Sequence, residues 1–199
     1  MEFLSNSEKE TKKIGLDDIL DEILYALRTI VTTSVVIFMV FNFLFTPVTV
    51  DGPSMSPTLE SQQWGFSSLL NKYIGEYDRF DVVVVYYEEK DMQLVKRIVG
   101  LPGEKIEYKN DKLYVNDQYV EEKFFDEEFI RRQTYDGSIQ FTEDFGPYYI
   151  REDEYFLIGD NRPRSTDSRV LGTFHREEIL SKSIMVLWPF NSIHYVGKK

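Results

Sequence analysis

The sequence predicts a mainly β protein: one membrane-spanning helix near the amino terminus, then an antiparallel β domain filling the rest of the 199 residues. Three observations carry this expectation. Ile23–Phe45 (ILYALRTIVTTSVVIFMVFNFLF) is apolar all round and not along one stripe. After it, short β-branched and aromatic runs recur, parted by Asn, Asp, Gly and Pro. One later charged segment, Phe124–Arg132, fits either a helix or a loop.

Thr29–Phe45 carries no charge. With Ile23–Leu27 added and Arg28 snorkelling to the interface, the span approaches the ~20 residues a bilayer requires. Pro47 is expected to stop the helix. A cleaved leader would have a shorter apolar run followed by a small-x-small site. The segment Thr-Pro-Val-Thr-Val-Asp follows here, so a retained anchor is expected. Lys9, Lys12, Lys13 and Arg28 precede Thr29, whereas Thr46–Asn71 has no Lys or Arg. That asymmetry places the amino terminus in the cytoplasm and everything after Phe45 outside, since acids on the inner side count little.

Beyond the anchor, Asp81–Tyr87 (DVVVVYY) reads as a strand buried on both faces. Gln93–Val99 is another. Lys105–Tyr108 and Leu113–Val115 flank a hairpin turn at Asn110-Asp111, and Asn116-Asp117 leads into Gln118–Val120 as a second hairpin. Tyr155–Ile158 and Ile184–Trp188 complete the expected strands.

The net charge of −11 argues against nucleic acid as a partner, because phosphate binding needs clustered Lys and Arg. The absence of cysteine removes disulfides, thiol nucleophiles and thiolate-bound zinc together. A histidine metal site or a Ser-His-Asp triad would have to use His175 or His194, and neither sits in a stretch built for it.

Three segments can carry chemistry. In Asp51–Leu59 (DGPSMSPTL), Gly52, Pro53 and Pro57 make a rigid turn that fixes the Ser54 hydroxyl, although such a serine is equally at home as a plain turn residue. In Gln93–Glu104 (QLVKRIVGLPGE), Lys96 lies inside an apolar strand, on one face with Leu94 and Ile98, while Arg97 shares the other with Val95 and Val99. A buried amine without an acid at i±2 tends to lose its proton, and a neutral lysine is what a general base requires. A snorkelling or salt-bridged lysine at a strand end is the plainer alternative. Leu157–Gly172 (LIGDNRPRSTDSRVLG) is a dense polar loop, readable either as a functional loop or as a solvated one with internal Asp–Arg pairs.

Taken together, these segments resemble the type I signal peptidase family, and its Gram-positive branch in having a single short anchor. DGPSMSPTL is similar to the family's nucleophile box, DVVVV to its following strand, VKRIVGLPGE to its lysine box and GDNRPRSTDSRVLG to its final box, in the family's order. The resemblance implies an antiparallel β catalytic domain of signal-peptidase type, divided as 1–22 cytoplasmic, 23–46 anchor and 47–199 extracytoplasmic peptidase. It implies Ser54 as nucleophile, Lys96 as the base that takes its proton, and Ser165 as the serine that hydrogen-bonds and orients the lysine. Asp167, Arg169, Asp160 and Arg162 match residues that hold the site's architecture, and Met55 and Pro57 residues that shape the turn.

Two departures stand out. Gly52 occupies the position where Gram-negative members place a serine of the oxyanion hole, leaving the Ser54 N–H as the simplest donor. Pro53 stands where close relatives have Asp, and it has no N–H to give. The resemblance further implies secretory preproteins cut after small-x-small motifs as substrates, the lipid bilayer and the protein-export translocon as partners, and no metal or organic cofactor. Met55, Leu59, Trp64 and Phe66 are candidates either for resting on lipid or for ordinary core packing. Two other readings share some features. Self-cleaving Ser-Lys repressors are soluble and carry a DNA-binding head, against which the apolar span and acidic charge argue. An inactive family member serving as a membrane-bound assembly factor would lack the catalytic pair.

Overall fold

The computed structural model describes residues 15–70, 72 and 75–197. Lys9, Lys12 and Lys13, on which the expected orientation partly rests, lie outside the described residues. The chain forms two compact units, divided after Asn42.

The first described element is a 29-residue helix, α1 (Leu16–Leu44). It begins seven residues before the expected anchor. Asp17 and Asp18 occupy its first turn, where carboxylates complement the helix dipole, and Gly15 N–H donates to Asp18 Oδ2. None of its residues is buried within the chain, so it is not a core helix. It is long and apolar enough to cross a membrane. Two of its hydroxyls are satisfied locally: Thr29 Oγ1 donates to Tyr25 O (2.9 Å) and Thr32 Oγ1 to Arg28 O (2.9 Å). Local satisfaction is what an apolar surrounding demands of a polar side chain.

The strands of the second unit pair antiparallel in two sheets. One sheet has the order β1-β2-β11-β3-β4-β9-β10, with β12 also paired to β11. Its strands are β1 (Phe45–Thr49), β2 (Trp64–Ser68), β3 (Val82–Tyr87), β4 (Met92–Gly100), β9 (Glu154–Ile158), β10 (Phe174–His175), β11 (Ile179–Trp188) and β12 (His194–Val196). The other sheet has the order β7-β6-β5-β8, built from β5 (Lys105–Lys109), β6 (Lys112–Val115), β7 (Gln118–Val120) and β8 (Phe145–Tyr149). Pro47 therefore sits within β1 and does not simply end the helix; β1 is an edge strand, where a missing N–H is tolerated.

The expected strands are present within a residue or two at their ends, except that β11 starts five residues earlier than expected. Val82–Val85 are fully buried, as the unbroken β-branched run requires. Asn110 and Asp111 (φ 51° and 61°) and Asn116 and Asp117 (φ 50° and 67°) take the paired left-handed conformations of tight hairpin turns. β11 is long because it serves three neighbours. Its first half pairs with β3 and its second with β12, and an irregularity at Ser183 (φ 63°) turns it from one to the other while β2 runs along its far edge.

The ambiguous segment Phe124–Arg132 contains a short helix, α2 (Glu127–Gln133), capped by Asp126, whose side chain accepts the Glu128 N–H. Around it Phe124, Phe125, Phe129 and Phe141 form a chain of ring contacts. Met55 and Leu59 are fully buried in a core with Val48, Val50, Val82, Val84, Ile184, Val186 and Val196, so they pack and do not face lipid. Trp64 is exposed.

Candidate active site

The turn between β1 and β2 carries Ser54. Gly52 turns the chain at φ +85°, with open space where a Cβ would stand. Ser56 N–H then donates to Pro53 O (3.1 Å) and Leu59 N–H to Met55 O (2.9 Å), closing the turn on itself. Met55 and Leu59 anchor it to the core from beneath. Ser54 is left half-buried, its N–H without a partner among the described residues.

β4 brings Lys96 to this turn. The side chain is 2% exposed, and Nζ lies 2.9 Å from Ser54 Oγ. Burial lowers its pKa from 10.5 to about 8, against the opposing pull of the Asp167 and Asp160 carboxylates and with help from Arg169. The amine is thus close enough to take the serine proton and neutral often enough to do so near neutral pH.

The next residue along β4, Arg97, is completely buried. It forks onto Asp160, Nε to Oδ1 at 2.7 Å and Nη2 to Oδ2 at 2.6 Å, and donates to Phe80 O and Thr58 Oγ1. Phe124 lies over its guanidinium at 4.0 Å from the ring centroid. Bidentate pairing and extra acceptors are what allow such a charge to be buried.

The loop after β9 completes the site. A Cβ on Gly159 would fall 2.2 Å from Ser165 Oγ and 2.5 Å from Ser54 O, so only glycine lets the loop close on the turn. Asn161 then grips the turn twice, its N–H donating to Ser54 O (3.0 Å) and its Nδ2 to Pro53 O (3.1 Å). Arg162 is buried, bonds Glu122 and Thr142 Oγ1, and lies over Phe125 and Tyr108. Asp167 caps a single-turn helix, α3 (Ser168–Leu171), accepting the N–H of Gly159 (3.0 Å) and the Arg169 guanidinium (2.8 and 2.9 Å). Burial alone would raise the Asp167 pKa; Arg169 and the Gly159 N–H outweigh it and hold the carboxyl below its ordinary range. Arg169 also reaches back to the carbonyls of Arg162 and Ser165.

The expected residues thus converge: Ser54 on Lys96, Asp160 on β4, Asp167 on Arg169. Ser165 differs in detail. Its hydroxyl packs against Gly159 and adds to the stabilisation of the Asp167 carboxylate from beyond hydrogen-bond geometry; Oγ is buried with no hydrogen-bond partner among the described residues, while Lys96 Nζ bonds Ser54. Arg97, Gly159, Asn161 and Glu122 also hold this region together and were not among the expected site residues. Arg97 had a usable signal, since two adjacent cations in an apolar strand demand acids from elsewhere. Asn161 had none, because both its bonds go to backbone carbonyls.

Among the described residues, Asp153, Glu154 and His175 approach one another closely enough to hold a cation; they lie at the β9–β10 pair and involve neither Ser54 nor Lys96. His194 bonds the carbonyls of Ser192 and Thr58.

Comparison with known proteins places the chain in a family. The family model described as signal peptidase, peptidase S26, matches residues 23–188. Signal peptidase I S of Bacillus subtilis (strain 168) is 42% identical over 167 residues, covering 83% of this chain and 89% of that one. Signal peptidase I P of Bacillus subtilis subsp. natto is 38% identical over 189 residues, covering 94% and 97%. A crystal structure of a signal peptidase I from Enterococcus faecalis V583 is 29% identical, with a TM-score of 0.46, covering 54% of this chain and 96% of that one. With the family model spanning most of the chain and relatives matched over nearly their whole length, the chain belongs to the signal peptidase family, peptidase S26.

Proposed function

We propose that the protein is a membrane-anchored serine endopeptidase that removes signal peptides from secretory preproteins, cutting after small-x-small motifs by a Ser54–Lys96 dyad. The observation that carries this reading is the 2.9 Å contact between Ser54 Oγ and a buried Lys96 Nζ whose pKa lies near 8. Neutral Lys96 takes the hydroxyl proton as Ser54 attacks the scissile carbonyl, and the unpartnered Ser54 N–H donates to the oxyanion. The lysinium then protonates the leaving amine. A water deprotonated by Lys96 attacks the acyl-enzyme, and the serine is restored. Asp160, Arg162, Asp167 and Arg169 hold the loop that shapes the site, and Ser165 closes the loop beside the lysine.

In this reading α1 is the anchor, its amino end is cytoplasmic and the β unit is extracytoplasmic, as the distribution of Lys and Arg favours. An apolar face supports contact with lipid. Trp64 and Trp188 are paired neighbours across β2 and β11, Trp188 stacks edge-on with Phe190, and Met185 and Tyr195 extend the face along β11 and β12. All five are exposed, with Phe190 at 75%. Trp and Tyr on an exposed apolar face suit a membrane interface.

The test is cleavage of a preprotein by the purified full-length chain. Ser54→Ala and Lys96→Ala should each lose nearly all activity while keeping the wild-type melting temperature to within a few degrees. For the wild type, kcat should rise with pH and level off above about 8. Substantial turnover by Lys96→Ala at neutral pH would sink the dyad.

A further inference from the structure

Beside the site loop lies a cavity of about 650 Å³, walled by Ile139, Phe141 and Glu143 on one side and by Pro163, Ser165 and Val170 on the other. Its volume falls in the ~300–1,000 Å³ range of ligand pockets. The signal-peptide chemistry proposed above does not use it.

Its position follows from the proton inventory of the reaction. The first product to leave Ser54 is the amine that begins the mature chain, and its proton comes from Lys96. The chain beyond the scissile bond must therefore depart on the lysine's flank. The Ser165–Arg169 loop forms that flank, since Asp167 and Arg169 act electrostatically on the Lys96 ammonium. Ser165 Oγ and Ser54 O both lie within 2.5 Å of the point where a Gly159 Cβ would stand, which puts them within about 5 Å of each other. Ser165 also lines the cavity.

The wall also has a sign. Arg162 and Arg169 contribute to the lining, but each is neutralised by its own carboxylate, Glu122 and Asp167. Glu143 and Asp144 add negative charge, and both are exposed. Ile139 and Val170 supply apolar contact.

We propose that this cavity receives the first residues of the mature chain after the scissile bond, and that its acidic wall makes the enzyme favour basic over acidic residues there. The proposal rests on the Ser54–Lys96 peptidase reading and adds a specificity element on the leaving-group side.

Two peptide series with the same signal-side sequence test it, one with Lys-Lys and one with Asp-Asp at the second and third positions after the cut. Full-length wild type should cleave the Lys series with a kcat/KM about two- to fivefold higher, the effect of one exposed charge contact. Glu143→Lys should abolish or invert that ratio, and Val170→Glu should widen it, with melting temperatures unchanged because both side chains are exposed. A ratio identical in wild type and both variants would overturn the assignment. So would variants that respond only to charges placed before the cut. Failure of wild type to cleave either series would instead sink the peptidase reading beneath it.

Discussion

Lys96 sets the terms at the scale of single residues. Its ammonium is disfavoured by burial, and the folded chain meets that cost by releasing the proton at a pH near 8 instead of 10.5. Between those two values the unfolded chain binds the extra proton, so folding stability gains as pH rises through that window and is least favoured by this group below pH 8. Lys96→Met, which keeps the length and discards the charge, should therefore be inactive yet more stable at pH 7, by up to about 3 kcal/mol. The advantage should shrink toward pH 10. Denaturant melts of both proteins at pH 7 and pH 10 check this; a destabilised Lys96→Met at pH 7 would mean the amine contributes more through its Ser54 contact than it costs. Asn161 shows why some residues of the site escape a reading of sequence. It acts on two carbonyl groups more than a hundred positions away, and a carbonyl has no side-chain identity to announce the contact.

Among elements, the close approach of the β9 loop to the nucleophile turn is the tightest constraint. Gly159→Ala would place a methyl group 2.2 Å from Ser165 Oγ and 2.5 Å from the Ser54 carbonyl. The backbone oxygen cannot swing away as a flexible side chain would, so the loop must retreat and carry Asn161 with it. We expect a loss of about 1–3 kcal/mol in stability, as for other overpacked sites, and a fall in kcat of more than tenfold. Thermal melts and steady-state cleavage rates measure both, and a variant with wild-type kcat would show that the loop does not position Ser54. Elements of this unit were legible where local chemistry and tertiary role agree. Val82–Val85 has one pattern and one use, and the two Asn-Asp turns specify their hairpins through left-handed dihedrals. β1, β2, β8, β10 and β12 were not legible. WGFSS and FGPYY lack an apolar alternation, and their pairing is imposed by partners far along the chain, Trp64 by Trp188 and Tyr149 by Lys105. β11 was read only over its second half, because Ser181, Lys182 and Ser183 look like a break until three neighbouring strands are in place.

For the molecule as a whole, the apolar helix and the β unit are separately built, and the proposed function divides the work of meeting a membrane-borne substrate between them. In the proposed reading the helix supplies residence at the bilayer, and the face containing Trp64, Trp188 and Phe190 supplies contact by the β unit. Trp188→Ser combined with Phe190→Ser should leave cleavage of a short soluble peptide unchanged and slow cleavage of a preprotein embedded in vesicles several-fold. Equal effects on both substrates would place these aromatics in the fold's stability and not at the lipid. The membership of the chain in its family was legible from four boxes of sequence, and the anchor from composition. The aromatic cover was not, because Phe124 and Phe125 declare their purpose only once Arg97 and Arg162 lie beneath them.

β4 sets two cations side by side, and alternation sends them to opposite faces. A slip of one residue against β3 would exchange them. The guanidinium, which offers donors and no acceptor, would then face Ser54, and the fold would be intact but chemically mute. Asp160 guards against this. Its two oxygens match the fork of an arginine and not the single point of an ammonium, so the ion pair under the site acts as a parity check on strand alignment. The least reactive charge in the site thus decides that the reactive one arrives on the correct side.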